Sequence, residues 1–152
     1  LDQLNQLAIG KPTDVFATTF GGVWAKDCDD LATGMIKFDD GMTALIETSG
    51  LTKAKLPRYR ITGTKGMAVF NAEKKCFDLY LGNTDTPTKT VPADKPNMGI
   101  NVYKGFVAAI RGDRSKLAVT PESVVTTMQL IDAYVKSNRT GKSVAITGPR
   151  VK

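Results

Sequence analysis

Residues 31–49 read LATGMIKFDDGMTALIETS, and this stretch decides the fold. Ala32, Gly34, Ile36 and Phe38 fall on one side of an extended chain while Thr33 and Lys37 fall on the other, the alternation of a strand with one buried face. Asp39, Asp40 and Gly41 follow, and Asp-Gly tolerates the positive φ angles of a tight hairpin turn. Residues 42–49, MTALIETS, then return as the partner strand. An antiparallel hairpin with one dry face is the expected centre of the domain.

Towards the N-terminus, residues 13–24, TDVFATTFGGVW, have the β-branched and aromatic content of a long strand, with Gly21-Gly22 as a bulge or exit. The polar AKDCDD between the two strands makes a loop. At the very start Leu1, Leu4 and Leu7 with Ala8 recur at helical spacing, and Gly10 and Pro12 end the pattern. With no initiator Met, this reads as the last two turns of a helix whose first turns lie upstream.

Towards the C-terminus a basic loop, GLTKAKLP, leads to a second hairpin in which Tyr59 and Ile61 are expected to pair with Met67 and Val69 across the turn TKG. In CFDLYLG, Phe77, Leu79 and Leu81 alternate with Asp78 and Tyr80, which predicts a strand with one wet face. An edge strand is expected near Thr88 to Val91. The last third changes period. Tyr103, Phe106, Val107 and Ile110 form the stripe of one helix, which places Tyr103 in the core. Thr120, Pro121 and Glu122 open a second helix as N-cap, first helical residue and dipole partner. Its buried face is expected at Val124, Met128, Ile131 and Val135, and Gly141 ends it before a short strand, SVAIT.

Consecutive strands followed by two amphipathic helices imply an α+β fold: an antiparallel-dominated open sheet of about six or more strands with helices on one face. The other face, with Thr33, Met35, Leu45 and Ala68 or Phe70 depending on register, is left for oligomerisation or is ordinary scattered surface. The length suits one domain over residues 1–152.

Composition narrows the function classes. With 41% hydrophobic and 24% charged residues the chain is globular rather than disordered. No apolar run approaches a membrane span, and no signal-peptide pattern occurs in these residues. There is no His, and Cys28 and Cys76 are the two cysteines, so a zinc site or Cys/His nucleophile cannot be assembled. Two buried free thiols and a reducing, cytoplasmic compartment are expected. The lack of His also removes the commonest general base near neutral pH. Net charge is +6 but uneven: residues 1–50 hold three Lys against eight acids, and residues 51–152 hold 18 basic against 7 acidic residues. That asymmetry opens a nucleic-acid reading, and KGMAVF distantly resembles an RNA-binding strand motif, although Met67 stands where a stacking aromatic is required. GTKG is too short for a phosphate loop and leads into a strand. A pure dimerisation module is the third reading.

Five stretches in order, LDQLNQLAIGKPTDVFA, DDLATGMIKFDDGMTALIETS, RITGTKGMAVF, VYKGFVAAIRGD and VTPESVVTTMQLIDAYVKSNRTGKSVAI, make the chain resemble the C-terminal domain of the Gfo/Idh/MocA family of NAD(P)-dependent oxidoreductases, the glucose-fructose oxidoreductase and inositol dehydrogenase type. The resemblance implies the substrate and oligomerisation half of a dehydrogenase acting on a sugar, polyol or related hydroxy compound. It implies that an N-terminal Rossmann domain, absent from this chain, binds NAD or NADP. It further implies a catalytic Lys in a Glu-Lys-Pro motif and a catalytic His just upstream of Leu1, with Asp2 matching the family Asp that follows that His. Neither GxGxxG nor Glu-Lys-Pro occurs here, so no catalytic, cofactor or metal residue is expected in this chain, and the isolated piece is expected to be inactive. Implied partners are the small-molecule substrate, the Rossmann domain and a second copy through the open face, with no membrane.

Six residues are candidates for substrate contact. Asp2 would orient the missing His or bind a substrate hydroxyl; its ordinary reading is a solvated acid. Lys53, Lys55 and Arg58 sit on the basic loop that in the family borders the active site; their ordinary reading is a solvated loop. Trp24 and Lys26 leave the first long strand where an indole can wall a sugar site, or can simply pack.

Overall fold

The computed structural model describes residues 1–24, 26–54, 56–93 and 98–147, the side chains of Asp2 and Met98 apart. The chain divides into two compact units, Leu1–Thr52 with Ala108–Lys152, and Lys53–Val107. Both are built on antiparallel sheets, which makes the fold α+β. Among the described residues eight strands fall into two four-stranded sheets.

In the first unit the long strand is β1 (Pro12–Gly21) and the hairpin is β2 (Asp29–Phe38) with β3 (Thr43–Ser49). The register runs from Leu31 opposite Ser49 to Lys37 opposite Thr43, so the turn falls on Asp39–Asp40–Gly41, and Gly41 takes φ +87° there. With the short strand β8 (Val144–Ala145) the order is β3-β2-β1-β8. Alternation in β2 places Gly34, Ile36 and Phe38 on the buried side, as its sequence predicts. Val15 and Ala17 of β1 join them, and helix α3 (Pro121–Thr140) contributes Leu130 and Ala133. Leu1, Leu4 and Ala8, in and beside the short helix α1 (Asp2–Leu7), close one side of this core. Each fully buried Val, Leu, Ile or Phe contributes about 1.5–3 kcal/mol.

α3 begins and ends as its sequence requires. Thr120 Oγ1 accepts the Ser123 N–H at 3.1 Å, Pro121 occupies the first turn, and Gly141 closes the helix at φ +65°. Its buried face is not the predicted one. Ser123, Thr127, Leu130 and Tyr134 point inward with Ala133 and Ser137, while Val124, Met128, Ile131 and Val135 are exposed. The inward set sits one residue, or about 100° of turn, from the bulkier set. The reason lies in the sheet: β2 presents Gly34, where an added Cβ would overlap the Tyr134 ring, and β1 needs the Ser137 hydroxyl. Close approach and a polar partner outweigh side-chain size.

The second unit is a meander, β4 (Arg60–Gly63), β5 (Gly66–Asn71), β6 (Cys76–Leu81) and β7 (Lys89–Pro92), in that spatial order. The predicted hairpin and edge strand form, with pairing one residue off the expected register: Ile61 faces Ala68, and Arg60 faces Val69. β6 corrects a second expectation, since Asp78 is not on a wet face but 7% exposed. Helix α2 (Met98–Ile110) has the predicted period, yet Tyr103, Phe106, Val107 and Ile110 are exposed, Tyr103 at 74%. Periodicity shows that an apolar face exists; it carries no information on whether this chain holds the cover. Of the two free cysteines Cys76 is buried and Cys28 is exposed, against the expectation that both are buried.

Candidate functional site

The loop leaving β1 is shaped by backbone rather than by side-chain bulk. β1 and β2 shift register between Phe20 and Gly21, so that Gly21 meets Asp29, and Gly22 takes φ +89°. Asp30 Oδ2 then accepts the N–H groups of Val23 at 2.8 Å and Trp24 at 3.3 Å, which pins the turn. Trp24 stands 68% exposed beside it. Lys26 lines an open cleft of ≈ 340 Å³ with Gly21, Gly22, Asp27, Cys28 and Asp29. An ammonium and two carboxylates in one cleft suit hydrogen bonding to hydroxyls. No group of three or more His, Cys, Asp or Glu able to hold a metal ion occurs among the described residues.

Asp2 belongs to the other end of this unit. Its helix reaches α3 near the start, where Asn5 Nδ2 donates to Thr127 Oγ1 at 3.0 Å. β1 meets α3 near its end, where Asn138 Oδ1 accepts the Thr19 N–H at 2.9 Å. Eleven helical residues separate Thr127 from Asn138, about 16 Å at 1.5 Å per residue. Trp24 and Lys26 thus share the loop after β1, Lys26 lining the cleft, and Asp2 is not brought to that loop.

Lys53 and Arg58 belong to the second unit, and Lys55 lies outside the described residues. Both are exposed. The Arg58 guanidinium carbon lies 5.5 Å from the centroid of Tyr59, over the ring face. Tyr59 in turn rests on Phe70 at 6.2 Å and Phe77 at 6.4 Å, and those two rings are 5.3 Å apart. The register explains the cluster, because Phe70 pairs with Phe77 and its N–H donates to the Tyr59 carbonyl at 2.9 Å, which lines up three rings across adjacent strands.

Two polar constellations escape a reading of the sequence. In the second unit Asp78 Oδ2 accepts from Asn71 Nδ2 at 3.0 Å, and Oδ1 accepts from Thr90 Oγ1 at 2.9 Å and from the Cys76 thiol at 3.8 Å. The Asn71 amide and then the Thr90 hydroxyl hold the Asp78 carboxyl below its ordinary pKa, while burial, and next the Asp78 charge, push the Cys76 thiol up. In the first unit Ser137 Oγ accepts the Ala17 N–H at 2.9 Å and donates to the Lys142 carbonyl at 2.7 Å. Asn138 Nδ2 also donates to Thr19 Oγ1 at 2.8 Å. β8 pairs only with Asp14 and Val15, so Ser137 and Asn138 serve the β1 amides that lie beyond its reach. The Ser-Asn pair at 137–138 was the available signal.

An antiparallel sheet with a long helix on one side defines the class of the first unit as an α+β domain. Residues 1–69 match the family model described as GFO/IDH/MocA C-terminal domain, which bears out the family resemblance read from the sequence. The fold is shared with an NAD-binding protein from Listeria innocua (TM-score 0.75, 23% identity, covering 95% of this chain and 48% of that one). It is shared with an oxidoreductase from Agrobacterium radiobacter in complex with NAD+, L-tartaric acid and magnesium (0.71, 18%, 95% and 46%). The WlbA dehydrogenase from Bordetella pertussis, in complex with NADH and UDP-GlcNAcA, also shares it (0.62, 16%, 97% and 42%). The chain therefore spans less than half the length of each of these structures. No curated protein matches it.

Proposed function

We propose that this chain is the substrate-binding and oligomerisation part of an NAD(P)-dependent dehydrogenase acting on a sugar, polyol or related hydroxy compound in the cytoplasm. The observation that carries the reading is the family match over residues 1–69 together with a fold shared over 95% of the chain with an NAD-binding protein twice as long. Two of the neighbours are complexes with a hydroxy acid or a sugar nucleotide, which supports a hydroxylated substrate. Among the described residues no helix is long and apolar enough to cross a membrane.

We read the dinucleotide as held outside the described residues. The start of α3 holds Glu122, whose carboxyl is kept below its ordinary pKa by its own backbone N–H first and by Arg114 next, so a negative charge already occupies that dipole end. In this reading NAD or NADP and the catalytic Lys and His belong to a Rossmann domain outside these residues. Hydride transfer requires nicotinamide and substrate carbon in fixed geometry, and the cofactor supplies that chemistry when bound. The part of this chain is to contribute substrate contacts, with Trp24 against an apolar sugar face and Lys26 on its oxygens in the first unit or, separately, Lys53, Lys55 and Arg58 on its oxygens in the second, and Asp2 orienting the upstream His. The sheet face opposite α3 takes a second copy.

Two measurements test this. Calorimetric titration of the 152-residue chain with NAD or NADP is expected to give no binding, and tight binding would overturn the division of labour. The coding sequence upstream of Leu1 is expected to encode a glycine-rich dinucleotide loop and a Glu-Lys-Pro motif; an unrelated fold there would overturn the dehydrogenase assignment.

A further inference from the structure

The two sheets have four edges among the described residues, and three of them are blunted. β8 is two residues long, β7 carries Lys89 and Pro92, and β4 is four residues long and opens on Arg60. Short length, basic side chains and proline are the devices that keep a sheet edge from pairing with another chain. β3 has none of them. Its seven residues, TALIETS, hold no Lys, Arg or Pro, and their register with β2 runs from end to end without a bulge.

Hydrogen bonds at the two ends of the hairpin fix which backbone groups β3 leaves open. The Gly50 N–H donates to the Asp30 carbonyl at 2.8 Å, and the Phe38 N–H donates to the Met42 carbonyl at 3.0 Å. Alternation between these points turns the backbone groups of Ala44, Ile46 and Thr48 towards β2 and those of Thr43, Leu45 and Glu47 away from it. Among the described residues no hydrogen bond reaches these outward groups. The three residues are exposed, Leu45 at 74%.

The strand that fits this edge is another β3. Set antiparallel about a twofold axis at Leu45, two copies place Leu45 against Leu45, and Thr43 of each against Glu47 of the other. Every such pair exchanges two backbone hydrogen bonds, about six in all. The row Phe16–Met35–Leu45 then continues into Leu45, Met35 and Phe16 of the second copy, and the one charge of the strand meets a hydroxyl rather than its like. With the axis at Ile46 instead, Leu45 would face Glu47 and the apolar row would break.

We propose that β3 is an interaction strand through which two copies of this chain join edge to edge, so that one antiparallel sheet runs across both. This contact is distinct from a sheet-face contact, which covers side chains and leaves the edge amides open to water. It rests on none of the substrate or cofactor assignments.

The test is NMR hydrogen exchange of the 152-residue chain over a concentration series, with sedimentation as the measure of association. The Thr43, Leu45 and Glu47 amides are expected to exchange freely in dilute solution and to slow together by about tenfold or more as the chain associates, while Ala44 and Ile46, already paired with β2, are protected throughout. Association that leaves the three outward amides exchanging as before would overturn the edge contact. So would a chain that never associates, or protection of these amides that is already complete at the lowest concentration. A variant pair gives an independent reading. Glu47→Pro removes one outward N–H at a position where an edge strand admits proline, and it is expected to weaken association at least about tenfold relative to Glu47→Ala. A Glu47→Pro chain that keeps its far-UV circular dichroism and associates as Glu47→Ala does would also overturn the proposal.

Discussion

Gly34 and Tyr134 show how one residue can set the distance between two layers. A methyl group on Gly34 would occupy the space of the Tyr134 ring, so Gly34→Ala is expected to destabilise the chain by about 1–3 kcal/mol, the usual range for overpacking. The Tyr134 hydroxyl is buried without a hydrogen-bond partner among the described residues. Tyr134→Phe keeps the ring and removes that unpaired group, so urea denaturation is expected to show stability unchanged or raised by up to about 1 kcal/mol. A clear loss would mean that the hydroxyl has a partner. Asp78 gives a pH signature at the same scale. Its carboxyl titrates lower in the folded chain than its ordinary value near 3.9, so the unfolded chain takes up the proton first and stability rises with pH through that region. The contribution is complete above the ordinary carboxylate pKa and is lost as pH falls through the folded one. Urea midpoints from pH 6 to pH 2 are expected to fall less in Asp78→Asn than in the parent. The neighbouring thiol adds a simple check: a disulfide reagent should label exposed Cys28 at once and reach buried Cys76 only on unfolding. Neither behaviour was legible from CFDLYLG, because an Asp alternating with apolar residues reads as solvent-facing, and its partners Asn71 and Thr90 come from other strands.

At the scale of elements, the parts governed by local chemistry were legible and the parts governed by a neighbour were not. The Asp-Gly turn fixed the register of β2 with β3, and Thr120, Pro121 and Gly141 fixed both ends of α3. The rotation of α3 was hidden, since it depends on a glycine in β2 and on two β1 amides that β8 is too short to pair. Ser137 and Asn138 replace the missing strand. Ser137→Ala would leave the Ala17 N–H buried without its acceptor, at a cost of about 1–3 kcal/mol. Asn138→Ala removes an exposed contact and should cost about 0.5–1.5 kcal/mol. Native-state hydrogen exchange separates this from general loosening. The Ala17 amide in the first variant and the Thr19 amide in the second should lose protection well beyond the drop in global stability, while the β2–β3 amides follow the global value. Uniform loss across the sheet would contradict the role given to these side chains.

The whole molecule is where the sequence was least informative about covers and most informative about what needs them. Alternation along β1, β2 and β3 places Phe16, Met35 and Leu45 in one row on the sheet face opposite α3, with Leu45 74% exposed and Phe16 42% exposed. The neighbouring rows are Thr18–Thr33–Glu47 and Asp14–Lys37–Thr43. An apolar row flanked by hydroxyls, by Glu47 and by Asp14 beside Lys37 can meet a second copy of itself under a twofold axis, because Asp14 of one copy can face Lys37 of the other. A stable dimer needs about 800 Å² from each partner, an area that a four-stranded sheet face can supply. Self-association through this face is therefore expected in sedimentation at high concentration. Leu45→Lys should abolish it: a lysine there leaves the folded monomer within about 0.5 kcal/mol of the parent, since the site is exposed, but places two like charges in the centre of the joined faces. Far-UV circular dichroism of the variant would establish that the fold is retained. A parent chain that stays monomeric at every concentration, or a Leu45→Lys chain that associates as the parent does, would place the contact elsewhere, and the exposed stripe of α2 would then be the apolar surface still in need of a partner.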